Sequence, residues 1–219
     1  MRVLVLGASG GCGRWLARIA RARGHDVTAL VRTAPSDDAV RDALGGTRMI
    51  EGSLLDPDVL QRALRGQQVV LCALGIRRAG RSPWAPLRSP PDFVASAVRG
   101  LIPAMQQAGV QKLQVISAAG VGDSHSQLSW PVQRLIDAGN VAVAYRDLAA
   151  MEAQLPSSRL DWLAVRPVTL VDGPVTGAAH AVDRYSLFST IRRADVAQWM
   201  VEQAEVRPPL TVRDVMLRG

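Results

Sequence analysis

Cysteine is scarce in this chain: Cys12 and Cys72 are the only two among 219 residues. Two thiols make no disulfide framework, and they lack the clustered His/Cys spacing of a zinc site, so neither a structural disulfide nor a bound metal is expected. The three histidines, His25, His125 and His180, are scattered through separate segments, which argues against a His-based triad or metal cluster. Long hydrophobic runs are also lacking. The first apolar run, Val3 to Leu6, gives way at once to glycines, a pattern of neither a signal peptide nor a membrane span. A cytoplasmic protein with no membrane partner is expected. No repeat, low-complexity tract or linker interrupts the chain, so residues 1–219 are expected to form one domain around one core.

The formal net charge is +7, yet no long run of one sign occurs. Arg14, Arg18, Arg21 and Arg23 alternate with apolar residues as an ordinary solvated helix face does, so a nucleic-acid partner is not expected. A basic excess also draws anionic small molecules into clefts.

Short apolar runs of strand length alternate with segments of helical period, the mark of repeated βα units and a doubly wound parallel sheet. Strands are expected at 2–6, 26–31, 47–51, 68–73, 112–116, 161–165 and near 210–217. Helices are expected at 13–23, from the Ser36-Asp37-Asp38 start, and after Asp56-Pro57, where a cap precedes an N1 proline. Further helices are expected from Asp92 to Gln107 with a kink at Pro103, at 144–155, and at 194–203. The connection 75–91, rich in Arg, Pro, Gly and Ser, is too long for a simple link and is a candidate binding loop, as are 118–140 and 170–192.

Gly7-Ala8-Ser9-Gly10-Gly11-Cys12-Gly13 lies directly between an apolar strand and an amphipathic helix. In that context the glycines have separate tasks: Gly7 for a tight turn, Gly10 for close approach of a pyrophosphate, Gly13 for packing of helix on strand. The free N–H groups at the helix start would face the anion. Cys12 is a small residue of the first turn whose thiol is expected to be inert. Where an NAD-preferring site carries an acidic residue at the end of the second strand, this chain has Arg32 and then Thr33. A guanidinium there pairs with a 2′-phosphate, which points to NADP(H); the alternative is a solvated strand-end arginine.

These residues resemble the atypical short-chain dehydrogenase/reductases with NAD(P)H-binding, NmrA-like Rossmann folds, most closely the biliverdin reductase B/flavin reductase type. The resemblance rests on the glycine loop, Leu30-Val31-Arg32, Gly52-Ser53-Leu54-Leu55-Asp56, Ala73-Leu74-Gly75, Val115-Ile116-Ser117-Ala118, Val165-Arg166-Pro167 and Gly173-Pro174-Val175-Thr176-Gly177. It implies that Ser53, Leu55 and Asp56 border the adenine and that Ala73, Leu74 and Gly75 pass behind ribose and pyrophosphate. It further implies that Ser117 faces the nicotinamide as the candidate catalytic residue, with Arg166, Pro167 and Val168 as the far wall of that pocket. Glu152 stands where NmrA-like relatives have a glutamate; it is a candidate substrate contact and equally a solvent-facing helix residue.

One departure bears on mechanism. Extended short-chain enzymes carry Tyr-x-x-x-Lys on the helix after the fifth strand, whereas here Tyr145 is followed by Arg146-Asp147-Leu148-Ala149. Tyr145 is therefore read as a packing or surface residue. Members of the flavin reductase type lack the pair as well. Trp84, Trp130 and Phe188 lie in loops where a flat acceptor would stack, and each is otherwise a packing residue. The expectation is an oxidoreductase that transfers hydride from NADP(H) to a flavin, quinone or other conjugated small molecule, acting as a monomer or weak dimer. The alternatives are an NmrA-like dinucleotide-binding redox sensor without turnover, or a nicotinamide-using isomerase or epimerase.

Overall fold

The first apolar run forms β1 (Arg2–Leu6), which is buried from Val3 onward, as a strand covered on both faces must be. It pairs in parallel with β2 (Asp26–Val31) on one side and β4 (Val69–Cys72) on the other, with Val3 opposite Val27 and Val69. The computed structural model describes residues 1–219 apart from 81, 83, 128–132, 134–136, 138, 187, 207–209 and 211.

Beyond β2 lies β3 (Arg48–Glu51); beyond β4 follow β5 (Lys112–Ile116), β6 (Asp161–Pro167) and β10 (Asp214–Arg218), all parallel. The antiparallel β8 (His180–Ala181) closes the eight-stranded sheet, and β7 (Thr169–Val171) pairs with β9 (Thr190–Arg192) apart from it. Helices α1 (Gly11–Ala22), α2 (Asp38–Leu44) and α6 (Arg193–Glu205) cover one face through Leu16, Val40 and Met200. The other face carries α3 (Pro57–Leu64), α4 (Phe93–Ala108) and α5 (Gly139–Glu152), through Leu60, Leu101 and Met151. This is the doubly wound Rossmann arrangement. The strand order reverses between β1 and β4, and that switch point opens a crevice at the carboxyl ends of the strands.

Caps explain several boundaries. The Asp37 carboxylate accepts from Ala39 N at 2.9 Å, and that of Asp56 from Asp58 N at 3.0 Å, with Pro57 behind it at the first helical position. At α4 the cap comes from elsewhere. The Asp92 carboxylate accepts from Ser96 Oγ and caps no backbone N–H, while Val94 N and Ala95 N each donate at 2.9 Å to the buried carboxylate of Asp147 on α5. Burial pushes the Asp147 carboxyl up, against the two amides that hold it down.

Several boundaries differ from expectation. Strand β6 runs on to Pro167, the last strand starts at Asp214, and α5 begins at Gly139 rather than Ala144. The short β8 and β9 fall inside the expected loop 170–192 and β7 straddles its start; two or three residues carry no readable period. Helix α4 runs through Pro103. Among the described residues no helix is long and apolar enough to cross a membrane.

Candidate functional site

The glycine loop begins as β1 ends. Gly7 adopts φ +75°, a left-handed conformation that brings its carbonyl to Gly10 N at 2.9 Å. A Cβ on Gly7 would stand 2.6 Å from the Ala73 carbonyl oxygen; one on Gly13 would overlap the Gly7 carbonyl oxygen and stand 2.7 Å from its carbon. The loop is thus pressed against the end of β4 and the start of α1 with no room for a side chain at Gly7 or Gly13. Gly10 is the N-cap of α1, no side chain caps the helix, and its first turn holds no acidic residue. The first N–H groups and the positive end of the helix dipole are left for an anion. Cys12 is buried there, and burial pushes its thiol up to about 11, so the thiol stays uncharged near neutral pH.

The loop forms one wall of a cleft of about 520 Å³, within the range of small-molecule sites. Arg32 and Thr33 line it at the end of β2, and Ala73, Leu74 and Gly75 at the end of β4. From the segment after β3 the lining residues are Gly52 and Leu54, not Ser53, Leu55 or Asp56. Asp56 caps α3, Ser53 Oγ accepts from Leu55 N at 3.2 Å, and Leu55 is 54% exposed.

Two arginines not singled out from the sequence join this lining. Residues 77–79 and 86–88 pair as two antiparallel sides of an arm, with Arg88 N donating to Arg77 O at 2.7 Å and Ala79 N to Pro86 O at 2.8 Å. The arm places Arg77 and Arg88 on the cleft with Arg32. All three are exposed, and among the described residues none has a carboxylate partner. The arginine-rich composition of 75–91 was the available signal; their convergence on Arg32 is a long-range contact.

Ser117 follows β5, its amide donating to Val165 O at 2.7 Å. Its hydroxyl is buried with no hydrogen-bond partner among the described residues, and Ser117 is not among the residues that line the cleft. Tyr145 Oη donates to Ala119 O at 3.3 Å, and burial pushes its phenol up. The Tyr185 hydroxyl is buried without a partner among the described residues and is pushed up by burial and then by Tyr145.

Arg166 and Glu152 meet in a forked pair, Nε to Oε1 at 3.1 Å and Nη2 to Oε2 at 2.6 Å, with side chains 10% and 11% exposed. Arg166 Nη1 also pairs with Asp123 at 2.7 Å and Asp214 at 3.3 Å. Burial works against the guanidinium charge, but the Glu152 bonds together with the charges of Glu152, Asp214 and Asp123 outweigh it and hold Arg166 protonated more firmly than usual. Glu152 therefore does not face solvent as an ordinary helix glutamate would; its carboxylate is bonded to Arg166. Pro167 and Val168 are buried beside the pair. Trp84 and Phe188 are 69% and 87% exposed, and Trp130 lies outside the described residues.

Residues 7–206 match the model of a family described as NAD(P)H-binding. The chain belongs to that family. The cradle fits its cofactor: steric room for backbone only at Gly7 and Gly13, an uncapped helix start, and three guanidinium groups without a carboxylate partner among the described residues. This NAD(P)H-binding chain is 33% identical over 193 residues to a 3-diazoavenalumate denitrifying reductase of a Streptomyces species, a match covering 82% of this chain and 59% of that protein's length. The chain thus spans less than two thirds of that curated relative. It is 26% identical to ChuY, an anaerobillin reductase from Escherichia coli O157:H7, whose structure aligns over 99% of this chain and 96% of that one with a TM-score of 0.75. A short-chain dehydrogenase/reductase from Veillonella parvula, solved with NADP, shares the fold at 14% identity, 100% and 94% coverage and a TM-score of 0.75.

Proposed function

We propose that the protein is an NADP(H)-dependent reductase of a flat, conjugated small molecule such as a flavin, a quinone or a linear tetrapyrrole. The observation that carries this reading is the cleft itself, where an uncapped helix start and Arg32, Arg77 and Arg88, without carboxylate partners among the described residues, face one cavity. Two relatives bearing reductase names support it. When bound, the dinucleotide supplies the hydride. The chain's part is to bind, orient and shield. The glycine loop holds the pyrophosphate by backbone N–H groups, and Arg32 with Thr33 takes the 2′-phosphate. Ser117 Oγ orients the nicotinamide amide or the acceptor oxygen, and the exposed Trp84 and Phe188 offer faces on which an aromatic acceptor stacks. The Tyr145 hydroxyl is bonded to a backbone carbonyl and has no lysine one turn on. An acceptor whose anion is protonated by solvent suits this site. The same feature favours the second reading, a dinucleotide sensor that does not turn over.

The deciding experiment is an NADPH-oxidation screen with flavins, quinones and conjugated ketones, run beside calorimetric titrations of NADPH and NADH. NADPH is expected to bind more tightly than NADH, and Arg32→Asp is expected to reverse that order by exchanging a 2′-phosphate partner for a ribose hydroxyl acceptor. Equal affinities in the parent protein would remove the NADP(H) assignment. Tight binding with no acceptor reduced would favour the sensor.

Ser117→Ala, assayed on the best acceptor of that screen, is expected to lower kcat by roughly two- to tenfold at unchanged NADPH affinity, the loss of one neutral hydrogen bond. A fall of about a hundredfold or more would make the serine a proton donor instead. An unchanged rate would remove it from the mechanism.

A further inference from the structure

Arg193 opens α6 directly after β9, far in sequence from the glycine loop. Its side chain nevertheless lies on that loop: a Cβ placed on Gly11 would stand 2.8 Å from Arg193 Cδ and 2.9 Å from Nε. Gly11 and Arg193 are therefore a matched pair, the missing side chain of one making the room that the other fills. The guanidinium comes to rest beside the first turn of α1, the positive end of an uncapped helix dipole, where a cation gains nothing from the helix. The Cys12 thiol in the same turn feels burial, which raises its pKa, then Arg193, which lowers it, and Asp172, which raises it, so both charges lie close to that turn.

What holds Arg193 there is Asp172, whose Oδ1 lies 2.9 Å from Nη1. The pair is weakly protected, with side chains 27% and 60% exposed, so its own contribution to stability is small. The helix start and the guanidinium present two positive groups to one spot. An anion placed between them satisfies both, and a pyrophosphate on the loop is such an anion.

We propose that Arg193 is a side-chain ligand of the dinucleotide pyrophosphate, and that Asp172 holds it in place while competing with the phosphate for it. The inference rests on the dinucleotide site of the proposed function and is independent of whether an acceptor is reduced. Asp172 also leads into the segment 172–177. That segment is tied to the same stretch of chain by Arg192 Nη1 on Pro174 O at 3.3 Å and by the buried Asp195, which accepts from Thr176 N, Thr176 Oγ1 and Gly177 N at 2.6, 2.7 and 3.0 Å. Arg193 thereby links an occupied pyrophosphate site to the base of the loop expected to border substrate.

Competition gives the two partners opposite signs, which a structural strap does not. Calorimetric titrations of the full chain with NADPH, NADH and ADP-ribose are expected to show Arg193→Met raising Kd roughly tenfold for all three, because all three carry the pyrophosphate. Asp172→Asn is expected to lower each Kd roughly two- to threefold by freeing the guanidinium. Thermal melting without dinucleotide reports whether each variant is folded. If Arg193→Met does not fold, Asp172→Asn carries the test alone. Unchanged Kd values, or weakening by both substitutions, would overturn the proposal. Failure of the parent chain to bind any of the three probes would instead overturn the dinucleotide site itself. Tight binding without reduction of any acceptor would leave Arg193 in place and remove only the reductase.

Discussion

Glu152→Ala is expected to lower the stability of the protein by about 3–5 kcal/mol while leaving the affinity for NADPH unchanged. The substitution strips a buried guanidinium of its forked partner. Arg166 and Glu152 have side chains 10% and 11% exposed, whereas Asp123 and Asp214, which also reach Arg166, are 75% and 47% exposed and compensate a buried charge only in part. The partial compensation places the loss toward the lower end of the range. Urea denaturation of parent and variant, compared at equal slope, measures it. A loss below about 1 kcal/mol, the ordinary worth of an exposed pair, would show that the two aspartates suffice. A normal melting curve with a raised KM for the acceptor would return Glu152 to the role of substrate contact.

Gly13→Ala is expected to abolish measurable dinucleotide binding, raising Kd by at least about a hundredfold, because the added methyl overlaps backbone. The atoms it meets are the Gly7 carbonyl group and Ala8 Cα, the latter at 2.8 Å, and none can swing away as a side chain can. Helix α1 must then leave the strand end and carry its N–H groups out of register with the cleft. Gly100→Ala is the matched control: on α4 a Cβ at that position meets nothing within 4 Å, so the change is expected to stabilise by about 0.5–1 kcal/mol and leave binding alone. Calorimetry and circular dichroism on both variants separate lost binding from lost fold. Normal NADPH affinity in a folded Gly13→Ala protein would place the phosphate site elsewhere.

Sheet and helices were readable because their signals are local. The bounds of β1, β2 and β5 agree with the apolar runs, and Asp37 and Asp56 cap helices where short polar residues precede a helical period. Asp56 also shows the limit of such reading. The residue that signals a helix start is the one the family resemblance implies at the adenine, and only the structure shows its carboxylate bonded to α3 while Gly52 and Leu54 line the cleft. Arg77, Arg88 and Arg193 escaped because each gains meaning from a neighbour distant in sequence: Arg32 for the first two, Gly11 and Asp172 for the last. The pairing of Glu152 with Arg166 is hidden from the sequence for a related reason. The partner lies on β6, and helical period says which side of a helix a residue occupies but not which charge waits there.

The carboxylate of Asp147 has one more consequence, for the order in which the chain is assembled. The first turn of α4 takes its cap from a residue 52 and 53 positions downstream, so that turn is incomplete until α5 has docked. A helix capped from within its own segment can start early and alone. This one cannot, because a long chain closure must come first, and such closures slow folding. On a ribosome, the first turn of α4 waits for its cap until Asp147 has emerged, and the stretch between Arg77 and Arg88 waits likewise for Asn140 of α5, whose amide donates to Trp84 O and Ala85 O at 3.4 and 2.9 Å. The basic side of the cleft is thus among the last parts of the fold to be secured.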